Sequence, residues 1–549
     1  MDLALSFLTV LYSDLRFSSS DLLNITVKTF LRILSFIIRC CIAPFIWMRR
    51  MRTPKKCPPI VNKLLLIPAT EMARKIRQQE ITSEEVVMAY IMRCREVNPI
   101  INAVVENRFD AALEEAREAD RFVRSGIKTE EALAYDTPLF GIPVTVKESV
   151  AVKGMSNNAG VKLKHPVKAR DDADVVKRVR IAGGIPLLVS NTPELCMCWE
   201  TFNNVTGTSW NPYDTRRTPG GSSGGEAALL GSGASLLGIA SDIGGSARLP
   251  ALFCGVYGHK PSPGWIGIDG HTPTCDDPAW PTFFTIGPMV RYAQDLAMFL
   301  NIMVQPGLEN NRLNEEVRLN DIKVFYVENF NSNVLNRIDP EIITGIRKLV
   351  NHFENGHKLK VQKAELPDVK HAFEASVMML LELDGVDTIF KKGSDPREWK
   401  SVTVEVLKYI TGMSSHILTN VMYGILKKFA NTLPENYKKL MYEKNNAIER
   451  QFKDLLGENG VLICPTFSSA AHFPYEIFSK ICDVTYMMIF NSIGLPVTQC
   501  PLGLNNEGLP IGVQIVGNVG CDHLTIAVAR EIERVFGGWQ EPSSCDAVV

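Results

Sequence analysis

Three segments of this 549-residue chain carry residue types that, brought together, would make an acyl-transfer site. GIPVTVKES is a short apolar run that ends in Lys147; GGSSGGE sets Ser222 and Ser223 between pairs of glycines; SDIGGSARLP sets Asp242, two glycines, Ser246 and Arg248 in sequence. A serine hydroxyl is a poor nucleophile until a base removes its proton. A lysine at the end of a buried strand can be that base, because desolvation disfavours its charged form. The N–H groups of Ile243, Gly244, Gly245 and Ser246 are successive, and glycine lets the main chain approach another group closely, so these amides can converge as an oxyanion hole.

The glycine-rich stretch allows other readings, and each meets an obstacle. Thr218 to Ser246 holds nine Gly and six Ser. A phosphate loop needs G-x-x-x-x-G-K-[ST], and no lysine follows these glycines at that place. A dinucleotide fingerprint fails at Leu236, where a glycine is required after Gly231-Ser-Gly233. EAALLGSGASLLGIASDIGG is too apolar for a solvated linker. The nucleophile elbow G-x-S-x-G occurs twice, around Ser222 and around Ser223, and His523 would be its late histidine. An elbow follows a buried strand, however, whereas NPYDTRRTP, with two prolines and three charges, precedes this one.

The elements that must position these residues alternate in type. PATEMARKIRQQ has helical spacing, Thr82-Ser-Glu-Glu85 is a capping box that opens a second helix, and DAALEEAREADRFVRS and DDADVVKRVRIAGG are helical. INAVVE, GIPVTVKES, IPLLVS, LLGIAS, GVLICP and IGVQIVG read as short strands, most of them buried. The alternation predicts an α/β fold with a largely parallel or mixed sheet covered on both faces. ASVMMLLELDGVDTIF and SSHILTNVMYGILKKFANTL are helical and rich in Met and Leu; they serve either core packing or the lining of an apolar ligand site.

Composition narrows the classes further. The formal net charge of −1 and 46% hydrophobic content give no basic surface for nucleic acid. The 13 Cys include no C-x-x-C pair, so no zinc site is expected. From Thr29 to Met48, 15 of 20 residues are apolar, about the length that spans a bilayer. Lys28, Arg32, Ser35 and Arg39 fall on one helical arc of about 60°. That is the pattern of an in-plane interfacial anchor with cations snorkelling toward headgroups, or of a tilted spanning helix. Arg49, Arg50, Arg52, Lys55 and Lys56 follow, and by the positive-inside rule they favour a cytosolic-facing body. The expected organisation is an anchor and basic flank over 1–56, a linker over 57–68, a catalytic domain over 69–540 and a tail over 541–549.

Lys147 in G-I-P-V-T-V-K-E, Ser222 in G-G-S-S-G-G-E and Ser246 in D-I-G-G-S, in that order and at intervals of 75 and 24 residues, resemble the signature of the amidase-signature enzymes. NSIGLPVTQCPLG and GLPIGVQIVG resemble that family's carboxy-terminal elements. NTPELCMCWE, SDIGGSARLPALFCGVYGHKPSPG and the apolar amino terminus resemble its membrane-anchored fatty-acid amide hydrolase branch, type 2 above all.

The resemblance implies a single α/β domain around a large mixed sheet. It implies a Ser-Ser-Lys triad in which Ser246 is the nucleophile, Ser222 the proton relay and Lys147 the base. The Gly221-Ser222 peptide would be cis, Ser223, Asp242 and Arg248 would support the network, and Cys196 and Met197 would lie over the acyl site. A lipid amide would be the substrate, with no cofactor and no metal; the protein would be associated with intracellular membranes through residues 29–48 and would be a candidate homodimer. The alternatives are a soluble amidase or amidotransferase A-like subunit acting on small polar amides, and a catalytically silent lipid-binding relative.

Overall fold

The computed structural model describes residues 19–308, 311–386, 388–391 and 400–542. The expected tail over 541–549 therefore lies almost wholly outside the described residues.

Among the described residues there are thirteen strands: β1 Val104–Asn107, β2 Pro143–Lys147, β3 Ile185–Ser190, β4 Phe202–Asn203, β5 Gly207–Thr208, β6 Leu237–Asp242, β7 Tyr257–Lys260, β8 Thr285–Val290, β9 Lys323–Tyr326, β10 Val361–Lys363, β11 Gly460–Pro465, β12 Val497–Leu504 and β13 Pro510–Gly517. Eleven of them form one sheet in the order β1-β3-β2-β6-β8-β7-β12-β13-β11-β9-β10, and β4 pairs with β5 alone. β3, β2 and β6 run parallel, as do β11, β9 and β10. From β6 through β8, β7, β12 and β13 to β11 every pairing is antiparallel, so the sheet is mixed.

The parallel strands β2, β3, β6 and β11 are buried along their length, and so PVTVK and IPLLVS read as continuous rather than alternating apolar runs. Helix Ser83–Ile101 starts as its sequence requires. The Thr82 hydroxyl accepts from the Glu85 amide at 3.1 Å, and the Glu85 carboxylate accepts from the Thr82 amide at 2.9 Å. That helix and Phe109–Arg124 pack against each other near β1 to β3, while Gly224–Gly231 packs on β2, β6 and β8.

Two parts differ from the sequence reading. Residues 57–68 are not a free linker: they contain a 3-10 turn, Lys63–Leu66, bury Cys57 and Leu65, and give the Pro58 carbonyl to Arg93 at 2.8 Å. Strands β7, β8 and β12 carry no strong sequence signal, since glycines and prolines interrupt them; β8 is TIGPMV and β12 VTQCPLGL.

The amino-terminal helix Ser19–Arg50 contains Pro44, and its Lys28–Arg50 portion is long and apolar enough to cross a membrane.

Candidate active site

β2 and β6 are neighbours, with Val146 opposite Ile239, so the strand ends deliver Lys147 beside Ser241 and Asp242. Lys147 is fully buried, and its Nζ donates to Ser222 Oγ at 2.6 Å and to Ser241 Oγ at 3.0 Å. Burial pulls the Lys147 ammonium below its ordinary value of 10.5, an effect only partly offset by the neighbouring Cys196, Asp242 and Glu226. Burial also raises the Glu226 carboxyl to about 7, so this neighbour is only a partial counter-charge.

Ser222 follows a turn that no larger residue could make. The Gly221-Ser222 peptide is cis, and a Cβ on Gly221 would lie 2.6 Å from the Cys198 carbonyl oxygen and 2.7 Å from the Glu200 nitrogen. Helix Gly224–Gly231 starts immediately beyond, and the residues before the turn form loops rather than a buried strand. This is not the strand-to-helix context of a nucleophile elbow. His523 lies elsewhere, near Arg312 and Asp522.

The second glycine turn is built on Asp242. Its carboxylate accepts from the Gly245 amide at 2.7 Å and the Ala247 amide at 3.1 Å, and it meets the Arg248 guanidinium in two bonds of 3.0 Å. Burial would raise the Asp242 carboxyl, but Arg248, the Gly245 amide and Asn491 hold it below the usual carboxylate range. Gly245 has φ 101°, and a Cβ there would sit 2.7 Å from Met487 Cβ. Ser246 closes the turn, and its carbonyl accepts from the Ser223 amide at 3.2 Å, which locks the two glycine turns together. The Ser223 hydroxyl donates to the Ser241 carbonyl at 3.3 Å.

One expectation is corrected by this geometry. The Gly245 N–H is committed to Asp242, whose carboxylate is the stronger acceptor in a buried turn. Of the four candidate amides, those of Ile243, Gly244 and Ser246 are left for an oxyanion hole.

A family model described as Amidase matches residues 85–526. The chain belongs to the amidase signature family. It is 40% identical over 492 residues to fatty-acid amide hydrolase 2-A of Danio rerio, covering 89% of this chain and 92% of that one. It is 36% identical over 496 residues to fatty-acid amide hydrolase 2 of Homo sapiens, with the same two coverages. A solved structure named fatty acid amide hydrolase shares the fold, with a TM-score of 0.70 at 21% identity, covering 90% of this chain and 89% of that one. The protein is an amide hydrolase.

In this amidase the loop after β3 passes close to Lys147. Leu195 and Cys196 both have positive φ, 51° and 57°. The Cys196 thiol lies 3.4 Å from the Thr192 hydroxyl, which donates to the Ser222 carbonyl at 3.0 Å. Met197 packs with the cluster of Leu195, Ile389, Phe390 and Val421. Glu194 fastens the loop to the helical layer outside it: its carboxylate meets His416 Nδ1 at 2.7 Å and accepts from the Ile417 amide at 2.9 Å and Asn420 Nδ2 at 3.0 Å.

Three residues of the network, Ser149, Ser241 and His271, have no sequence signal of their own. Ser241 Oγ, which accepts from Lys147, lies 3.1 Å from His271 Nε2, and Ser149 Oγ lies 3.0 Å from the same nitrogen. His271 Nδ1 is 2.9 Å from the Pro273 carbonyl and so carries the ring proton, which leaves Nε2 to accept from both hydroxyls. Burial, reinforced by the charge of Lys147, pushes the imidazole down to about 3, so it stays neutral at working pH.

His271 thus orients Ser241, and Ser241 steadies the Lys147 ammonium. In His271→Phe, Ser241 loses its acceptor and becomes a poorer partner for the cation. We expect kcat to fall by about five- to tenfold with KM nearly unchanged. The acidic limb of the rate profile should move to lower pH, because the charged form of Lys147 is less favoured. A fall in thermal stability without movement of that limb would assign His271 a packing role alone.

Proposed function

We propose that this amidase hydrolyses fatty-acid amides, primary amides and N-acylethanolamine-like amides among them, through an acyl-enzyme on Ser246. The observation that carries the chemistry is the fully buried Lys147 with its Nζ 2.6 Å from Ser222 Oγ. Neutral Lys147 takes the Ser222 proton while Ser222 takes that of Ser246, and Ser246 Oγ attacks the amide carbonyl carbon. The oxyanion is held by the amides of Ile243, Gly244 and Ser246. As the C–N bond breaks, the proton returns through Ser222 to the leaving nitrogen. Water then attacks the acyl carbon, giving its proton through Ser222 to Lys147, and that proton returns to Ser246 Oγ as the ester bond breaks and the acid leaves. Ser223, Asp242 and Arg248 keep the two turns in place.

The lipid character of the acyl group is supported by the apolar cluster that meets Met197, beside Cys196, and by the fatty-acid amide hydrolase 2 relatives. The same relatives and the exposed apolar amino-terminal helix support association with a membrane.

A fluorophosphonate probe followed by an oleamide-like substrate tests both parts. Labelling should disappear in Ser246→Ala and persist in Ser223→Ala, and the long-chain amide should turn over faster than a short polar one. Labelling lost only in Ser223→Ala would move the nucleophile to the first glycine turn. Turnover of short polar amides alone would remove the lipid assignment and leave the chemistry.

A further inference from the structure

Lys28 and Arg49 of the amino-terminal helix face protein and Arg39 reaches it from the edge, contrary to the reading in which the whole cationic stripe reaches for lipid headgroups. Along Ser19–Arg50, the half-buried positions from Lys28 onward are Lys28, Leu31, Ser35, Ile38, Ile42, Ile46 and Arg49, and the positions between them are exposed. These steps of three and four keep one seam within an arc of about 80° over about 32 Å of helix. The seam lies on the catalytic body. Lys28 Nζ pairs with Glu374 at 2.8 Å and donates to the Lys370 carbonyl at 3.3 Å. Leu31 packs with Val334, Phe373 and Cys482, and Ser35 donates to the Ser479 carbonyl at 2.6 Å. Arg39, at the edge of the seam, donates to Asn336 Oδ1 at 2.8 Å, and the Arg49 guanidinium lies 4.2 Å from the centre of the Trp210 ring.

Glu374 weighs most among these contacts. Its side chain is 3% exposed, it accepts no hydrogen bond among the described residues, and Lys28 is the one cation paired with it there. A carboxylate so buried and so partnered marks a built docking position.

The exposed side of the helix carries Phe30, Ile33, Phe36, Ile37, Phe45, Trp47 and Met48, each more than half exposed. Arg32, Arg39 and Arg50 stand exposed at its rim, and residues 25–56 contain no Asp or Glu.

We propose that this helix does not span a bilayer but lies in the plane of one leaflet, clamped to the catalytic body by its seam, with its outer face in lipid and its rim cations at anionic headgroups. A helix along the membrane normal would be ringed by lipid, would strip Glu374 of its counter-charge, and would carry Ser35 and Arg39 into hydrocarbon. A second copy of the chain is disfavoured as the occupant of the outer face, because two-fold pairing would set one cationic rim against another. An in-plane helix at the interface instead gains from apolar burial and charge together.

The test uses the full chain with tags at both ends in sealed membrane vesicles. Both tags should be digested by added protease or both protected; one of each would establish a spanning helix and overturn the proposal. In Phe36→Ser combined with Phe45→Ser, binding to phosphatidylcholine–phosphatidylserine vesicles should fall more than tenfold, with hydrolysis of a short water-soluble amide unchanged. Unchanged vesicle binding overturns the lipid assignment, and conversion of a dimer to a monomer alongside it would give the face to a second copy. Glu374→Lys should speed tryptic cleavage within residues 49–56, and adding Lys28→Glu should restore resistance; absence of that rescue overturns the clamp. None of these readouts depends on which amide is cleaved, so they stand apart from the lipid-amide reading.

Discussion

Ser246→Ala is expected to abolish fluorophosphonate labelling and to lower amide hydrolysis by about 10⁴-fold or more, as loss of a covalent nucleophile does when only binding and an oxyanion hole remain. Lys147→Met and Ser222→Ala should each cost about as much as the two together, because a relay broken at either member transfers no proton. Steady-state rates of the two single variants and the double variant check this, and additive losses would show that the residues act separately. The base works as the neutral amine, so the rate climbs as pH rises through the pKa of Lys147, which burial sets below 10.5. The limb cannot belong to His271, which is neutral well below that range. In Lys147→Met the limb should vanish from whatever activity remains.

The second large effect concerns Asp242 and Arg248, both wholly buried. Besides Asp242, Arg248 reaches the Met487 carbonyl at 3.1 Å, Gln514 at 3.3 Å and Asn491 at 2.6 Å. It therefore joins the second glycine turn to helix Thr485–Ser492 and to β13. Removing one member leaves the other as an uncompensated charge, so Arg248→Met should destabilise the fold by about 3–5 kcal/mol in denaturant unfolding. Arg248→Met with Asp242→Asn should recover part of that loss, since neither charge is then stranded. The Asp242 carboxyl has its folded value depressed, so its contribution is full above the unfolded value near about 3.9 and is lost as pH falls toward the folded one. Stability should accordingly fall with acid, and that part of the fall should be absent in the double variant.

The candidate residues Lys147, Ser222 and Ser246 could be picked out because each sits in a local pattern whose backbone demands glycine or a buried strand. The alternation of helices and short apolar runs gave the mixed sheet for the same reason. What could not be read depends on partners far away in the chain. His271 is a lone histidine in a loop, and only the placement of β6 beside β2 makes Ser241 a bridge from it to Lys147. Strands β8 and β12 contain Pro288 and Pro501, which breaks the pattern that marks a strand. The Gly245 amide looks like any other in D-I-G-G-S until the Asp242 side chain folds back on it. The stripe of Lys28, Ser35 and Arg39 has one spacing whether its partners are phosphates or the carboxylate and oxygens of Glu374, Ser479 and Asn336. Spacing reveals a polar edge but not what lies against it.

The strained turn at Leu195 and Cys196 has a consequence for how the site divides its labour. Its shape is held from outside by Glu194, which grips His416, Ile417 and Asn420. That loop is therefore braced by His416, Ile417 and Asn420, the last in helix Leu418–Ala430, while Lys147 and the serines are carried by β2, β6 and two turns in which Gly221 and Gly245 leave no room for a Cβ. The two parts answer to different stretches of sequence: substitutions in the outer helix can shift the loop beside Lys147 without touching the candidate catalytic residues. The loop can thus drift in sequence while the strands and glycine turns that hold Lys147, Ser222 and Ser246 stay fixed.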